Sequence, residues 1–334
     1  MRKPKYLSPT AIDKWNKDRQ EFYLSYLADN RPPRIPQTRP MAAGGAFDAY
    51  VKGYLIEKLM GVSGGSSVET LLSDQIESHN LEWATKIGGY IFDCYRRSGA
   101  LADLMVEMSL ATGSPRFEST VEAIIDGVPL LGKPDLWFEV DDGPVVIDWK
   151  VNGFCGKSAT SPKPGFIKVR DCWDSKTTPN MRNHMTSHPK CQEHVVSGLT
   201  VNIAGYFESV YPAWAVQLAV YSWLLGAPVG AKTIIGIDQI VSRGGGSADD
   251  VVHPLLRVAS HRARLSSEYQ ETLHASIVHI WNRISRGPRH IFDGDPGESE
   301  ARCTVLDSYH AGIAGDTPED EWFASACRGE SRAW

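Results

Sequence analysis

The sequence predicts an α/β protein whose central sheet is flanked by helices, and three observations predict it. A meander of β-rich segments fills Phe117 to Val151, broken by turn signals at Asp126-Gly127 and Asp142-Gly143. Amphipathic segments precede that meander, and a strongly apolar helix follows it at Trp214 to Leu225. A β-branched run, Thr233 to Val241, then supplies a further strand.

The elements follow in order. Ser8 caps and Pro9 opens a first helix, and Ile12, Trp15, Phe22, Tyr23 and Tyr26 give it, or a pair of helices, an apolar face. Residues 30–40 form an extended, basic, proline-rich connector. Ala42 to Asp48 begins another helix, continuing through Val51, Tyr54, Leu55 and Leu59, with Asp48 in its first turns. A Gly/Ser loop covers 61–69, and 70–112 reads as one or two helices carrying Ile87, Ile91, Tyr95, Leu101, Leu104 and Met108. After the meander, 152–205 is rich in Gly, Pro, Ser, Lys and His with weak periodicity, the pattern of a functional loop or mobile insertion. Arg243 to Asp250 is a glycine-rich loop, and Leu255 to Arg286 is expected to be one long amphipathic helix. The domain is expected to span 1–290, followed by an acidic, turn-rich tail over 291–334.

Composition narrows the function classes. With 334 residues, 42% of them hydrophobic, the chain can bury a large core. A net charge of −5 and a pI near 6.1 give no global case for nucleic acid, so any such case rests on local clusters. Six cysteines without paired short spacing argue for a reducing compartment, hence a cytoplasmic location. The first residues carry charge but no apolar core, unlike a signal peptide. The uncharged stretch Tyr211 to Ala231 is interrupted by Gln217, Pro212 and Pro228 and reads as a soluble core helix.

Chemistry concentrates in Gly132-Lys133-Pro134-Asp135 and Val145-Val146-Ile147-Asp148-Trp149-Lys150. Alternation puts Asp148 and Lys150 on one strand face and Ile147 and Trp149 on the other. An antiparallel hairpin would bring Asp135, Asp148 and Lys150 together. Two carboxylates about 4 Å apart repel by roughly 1 kcal/mol in water and roughly 4 at a protein surface. A bound Mg²⁺ or Mn²⁺ removes that repulsion, and such ions select hard oxygen ligands. The bland alternative is a surface hairpin with an Asp–Lys pair.

Asp135, then Asp148-x-Lys150, then Gln217-x-x-x-Tyr221 on a helix resembles the PD-(D/E)xK nuclease superfamily, and within it the RecB-like branch. That branch includes the AddB nuclease domain, CRISPR-associated exonucleases and many phage exonucleases. The Leu7-Ser8-Pro9-Thr10 helix start and the Gly44 to Asp48 segment match that branch in order, over roughly residues 5–60 and 117–240. The resemblance implies a restriction-endonuclease-like core with a mixed central sheet. It also implies a Mg²⁺- or Mn²⁺-dependent deoxyribonuclease, exonucleolytic in end processing, recombination or phage replication. In that reading Asp135 and Asp148 are metal ligands, Lys150 is the catalytic lysine, and Gln217 and Tyr221, one helical turn apart, position the DNA strand. Asp48 stands where the branch has a metal-binding His, and is either a third ligand or a charge at a helix N-terminus. Glu118 and Glu122 flank the meander, and Glu122 is the better candidate to reach the site. Gln217 and Tyr221 are otherwise polar residues of a helix interface.

Two further metal readings attach to cysteine. Iron–sulfur relatives place a Cys in the first helix region, where this chain has Lys17-Asp18-Arg19, and only Cys303 and Cys327 lie in the tail, which argues against a cluster. Cys172, His184, His188, Cys191 and His194 include zinc-type ligands but match no strong template, and a solvated loop is the alternative. The same segment interleaves Lys157, Lys163, Lys168, Arg170, Lys176, Arg182 and Lys190 with Phe154, Phe166 and Trp173, which suits single-stranded DNA or an ordinary polar loop. DNA is thus the expected partner, together with a recombination or replication protein. The competing functions are a non-catalytic nucleic-acid-binding protein with a nuclease-like fold and a site-specific endonuclease.

Overall fold

The structure is a computed structural model that describes residues 3–29, 32–61, 67–117, 119–141, 143–152, 168–175, 178–184, 191–196, 199–204, 212–231, 233–242, 256–287 and 290–291. Helix α1 (Pro9–Lys17) begins as its sequence dictates, with the Ser8 hydroxyl accepting from the Ala11 N–H and Pro9 in the first turn. Asp18 caps the short α2 (Arg19–Phe22), which runs into a π-helical turn, Tyr23–Leu27. Trp15 and Phe22 meet edge to face at 5.1 Å and close this layer over the core. Leu7 is bonded to the Pro129 carbonyl and the Leu131 N–H, which ties the N-terminus to the strands that follow.

Helix α3 (Arg39–Met60) starts with Pro40 in its first turn, three residues before the expected start. Asp48 therefore lies about two and a half turns inside the helix, and the reading of it as a helix N-terminal charge is corrected. The stretch read as one or two helices holds three: α4 (Val68–Gln75), α5 (Ser78–Arg97) and α6 (Ala100–Met108). Gly99, at φ +82°, breaks α5 from α6. A Cβ on Gly88 would sit 2.5 Å from that of Ala46, so glycine sets the close approach of α3 and α5.

The meander divides into two sheets. Strands β1 (Arg116–Phe117), β4 (Leu136–Val140) and β5 (Gly143–Asn152) enter the main sheet, while β2 (Val121–Ile125) and β3 (Val128–Gly132) form a separate hairpin. Asp126 and Gly127, both at positive φ, make its two-residue turn. Val121, Ala123 and Ile125 pack on the core, so Glu122 points to solvent on a strand that pairs only with β3. The expectation that Glu122 reaches the site is corrected, and Glu118 lies outside the described residues.

The main sheet is mixed. Strand β5 pairs antiparallel with β4 and parallel with β10 (Ile234–Ser242), which pairs antiparallel with β11 (Leu256–Ala263). The parallel pairing requires a crossover, and α7 (Pro212–Leu224) lies within it. The backbone of 168–204 adds β6 (Lys168–Ser175), β7 (Thr178–His184), β8 (Cys191–Val196) and β9 (Leu199–Ala204). The β6–β7 hairpin extends the sheet beyond β11, and β8–β9 stand as a second hairpin. The side chains of Cys172, His184, His188, Cys191 and His194, and the basic and aromatic residues of that segment, lie outside the described residues, as do Cys303, Cys327 and the tail.

The long helix expected over Leu255 to Arg286 is corrected to strand β11 followed by α8 (Ser267–Arg286). Its first third reads equally as an amphipathic helix or a buried strand, and pairing on both sides decides for the strand. Ser266, whose hydroxyl accepts from the Tyr269 N–H, marks the true helix start. Among the described residues no helix is long and apolar enough to cross a membrane.

Candidate active site

Antiparallel pairing of β4 and β5 sets Leu136 across from Ile147, and one step further brings Asp135 against Asp148. The Trp149 N–H donates to Asp135 Oδ2 at 3.0 Å, so the acid that ends the approach to β4 is locked onto the backbone of the D-x-K strand. Alternation puts Asp148 and Lys150 together on one face, with Nζ 2.5 Å from Asp148 Oδ2.

Helix α7 crosses that face. It is apolar on nearly every side, as a helix buried against a sheet must be, and Gln217 and Tyr221 are its polar exceptions here. Gln217 accepts from Lys150 Nζ at 3.0 Å and donates through Nε2 to Asp148 Oδ1 at 2.8 Å and to the Tyr221 hydroxyl at 3.1 Å. One amide thus reads both charges of the D-x-K pair. Gly132 has a steric reason to be glycine: a Cβ there would lie 2.7 Å from the Tyr221 ring and from Leu224. Burial first, then the Asp148 charge, pushes the Tyr221 hydroxyl up, so it stays a neutral donor.

From α3 comes a residue that the sequence reading did not single out. Lys52 lies one helical turn after Asp48, with Nζ 2.5 Å from Asp48 Oδ2 and 3.9 Å from Asp135 Oδ1, and is 1% exposed. The i, i+4 spacing of Asp48 and Lys52 on a helix bearing a candidate ligand was the signal available for it. Asp135, Asp148, Lys150, Gln217 and Tyr221 are thus brought together as expected, with Asp48 joined to them through Lys52.

Burial first, and then the neighbouring Asp135, raise the Asp148 carboxyl to about 7, although Lys150 pulls it down. Burial alone would lower the Lys150 ammonium, but Asp148 and Asp135 outweigh it and hold it up. Lys150 is therefore a fixed cation rather than a base in this arrangement.

Among the described residues no group of three or more His, Cys, Asp or Glu could hold a metal ion. Two carboxylates nevertheless suit Mg²⁺, which keeps several waters and is held by one or two protein carboxylates plus substrate phosphates. Asp135 and Asp148 supply hard oxygens, and the raised Asp148 carboxyl is the strain that a cation would relieve. The donor set fits. Asp48 already has one oxygen on Lys52, which weakens its case as a third ligand.

No family model and no curated protein matches the sequence. The solved chain SSO0001 aligns over 91% of this chain and 94% of its own, at 8% identity and a TM-score of 0.22, too low to carry an argument about fold.

Proposed function

We propose that this protein is a divalent-metal-dependent DNA nuclease of the PD-(D/E)xK kind, acting through the centre built from β4, β5 and α7. The observation that carries the reading is the continuous set Asp135, Asp148, Lys150, Gln217 and Tyr221, joined by hydrogen bonds from residues far apart in the chain.

Asp135 and Asp148 would hold the cation, which supplies neutralisation of charge on the scissile phosphate. Lys150, kept protonated by the two acids, orients a water beside the phosphate and stabilises negative charge as it develops. Gln217 holds Lys150 and Asp148 in register, so the distance between cation and carboxylate is fixed before substrate arrives. The Tyr221 hydroxyl, accepting from Gln217, can donate to a phosphate oxygen. A restriction-endonuclease-like core and exonucleolytic action belong to this proposal.

End-labelled single- and double-stranded DNA, incubated with Mg²⁺ or Mn²⁺ and with EDTA, tests it. Metal-dependent shortening by the wild type and its loss in Lys150→Ala support the reading. Discrete internal bands on plasmid would move it to a site-specific endonuclease. A second reading, a DNA-binding protein without catalysis, is favoured by Lys52, whose ammonium already offsets the acids beside the expected metal position. That reading predicts DNA binding unchanged by EDTA and no product from any substrate.

A further inference from the structure

We propose that Lys52 is a resident cation that holds the place of a second metal ion, making the acidic centre a site for a single divalent cation. The inference rests on the nuclease reading of the same site. A lysine 1% exposed is rare unless its charge is matched, and Lys52 is matched by acids of two different elements, Asp48 on α3 and Asp135 ahead of β4. An ordinary helix-surface pair would be exposed and worth little; this one is inside.

The charges of the cluster set how many divalent ions it accepts. With Asp148 ionised, as a bound cation requires, Asp48, Asp135 and Asp148 face Lys52 and Lys150, leaving one net negative charge. One divalent ion turns that into one net positive charge, which a DNA phosphate then neutralises. A second divalent ion would leave three, in a centre where Asp148 and Lys52 are already withdrawn from water.

The oxygens agree with that count. Asp135 Oδ2 is taken by the Trp149 N–H, and its Oδ1 faces Lys52. Asp48 Oδ2 is held by Lys52 Nζ. Lys52 thus engages the two acids that a second ion would need, whereas Asp148 is engaged by Lys150 and the Gln217 amide, the groups that the first ion would displace. Lys52 does in charge what another ion would do, and it is anchored by the helix it sits on.

The test is titration of the full chain with Mn²⁺ in the absence of DNA, followed by calorimetry and by loss of the free-ion resonance signal. The proteins are wild type, Asp148→Asn, Lys52→Met and Lys52→Gln; the glutamine keeps a hydrogen bond to Asp48 and covers the case in which methionine does not fold. The expected result is one ion per chain in wild type, lost in Asp148→Asn, and two in the folded Lys52 variants, with the first bound roughly tenfold tighter or more. Two ions in wild type, or one ion in the folded Lys52 variants, overturn the proposal while leaving the nuclease reading standing. No ion in wild type overturns both.

Discussion

Two clusters of charge are anchored on opposite faces of β5, and Trp149 joins them. On one face are Asp135, Asp148, Lys150 and Gln217. On the other, the Trp149 indole donates to the Tyr95 hydroxyl, which donates in turn to Asp238, and Arg262 bridges Asp238 at 2.9 Å and Glu107 at 2.8 Å. Both clusters are acidic groups gathered around cations, yet they are built differently. Arg262 spends a planar fork on two acids and the His261 carbonyl, inside a layer closed by α5 and α6, and its charge is held firmly in place. In the first cluster, Asp135 and Lys150 keep about a quarter of their side-chain surface open, and the buried Asp148 carboxyl is raised. Burial raises a carboxyl in each, Glu107 in the closed cluster and Asp148 in the open one, but only the open one lies beside surface that a cation and a phosphate can reach. Burial of charge and a raised carboxyl therefore do not by themselves mark a site; the opening beside them does.

Neutralising one charged residue in each cluster separates the two. Asp148→Asn keeps its shape and its neighbour Gln217, and metal-dependent DNA cleavage is expected to fall by roughly 10³-fold or more with the fold intact by circular dichroism. Full activity in that variant would make the open cluster as structural as the closed one.

Arg262→Met tests the other face. Removing the cation leaves the buried Asp238 and the half-buried Glu107 without it, and stability should drop by about 3–5 kcal/mol in urea melts. An unchanged midpoint would mean that the closed cluster does not hold the sheet. Gly132→Ala comes next: its Cβ collides with Tyr221 and Leu224, so a loss of about 1–3 kcal/mol is expected, together with weaker cleavage as Tyr221 is displaced.

The smallest effect is in pH, and its sign differs between His261 and Asp148, which share one face of the sheet. His261, buried beside Arg262, is held well below its usual range, so below about pH 6.5 the unfolded chain takes up a proton that the folded chain refuses. Stability should fall with acidification by up to about 1.4 kcal/mol per pH unit, and His261→Gln should flatten that slope. Asp148 acts oppositely: between about 4 and about 7 the folded chain keeps a proton that the unfolded chain releases, so its contribution falls as pH rises. Melts of Asp148→Asn without divalent metal should lack that decline. The same slope in wild type and both variants would remove the distinction.

Much of this was written locally. Ser8-Pro9 placed the first helix start, Asp126-Gly127 the β2–β3 turn, and the alternation in Val145 to Lys150 the face shared by Asp148 and Lys150. Asp135 facing Asp148 followed from a short hairpin, and Gln217 with Tyr221 from one helical turn. These are consequences of period and turn chemistry, which act over a few residues. The α/β mixture followed from the same signals.

What tertiary structure decided depends on partners distant in the chain. Leu256–Ala263 became a strand because β10 and β6 pair with it on either side, although its own pattern permits a helix. The meander split into two sheets because β4 turned to β5 while β2 stayed with β3, a choice between pairings that no single strand encodes. Glu122 was lost to the site for that reason. Lys52 entered the site, and Tyr95, Asp238 and Arg262 met behind it, because α3 and α5 pack at glycine-set distance over the sheet. Local periodicity set which residues could carry charge on which face; the packed layers alone settled which charges would be compensated, because compensation is a property of neighbours in space.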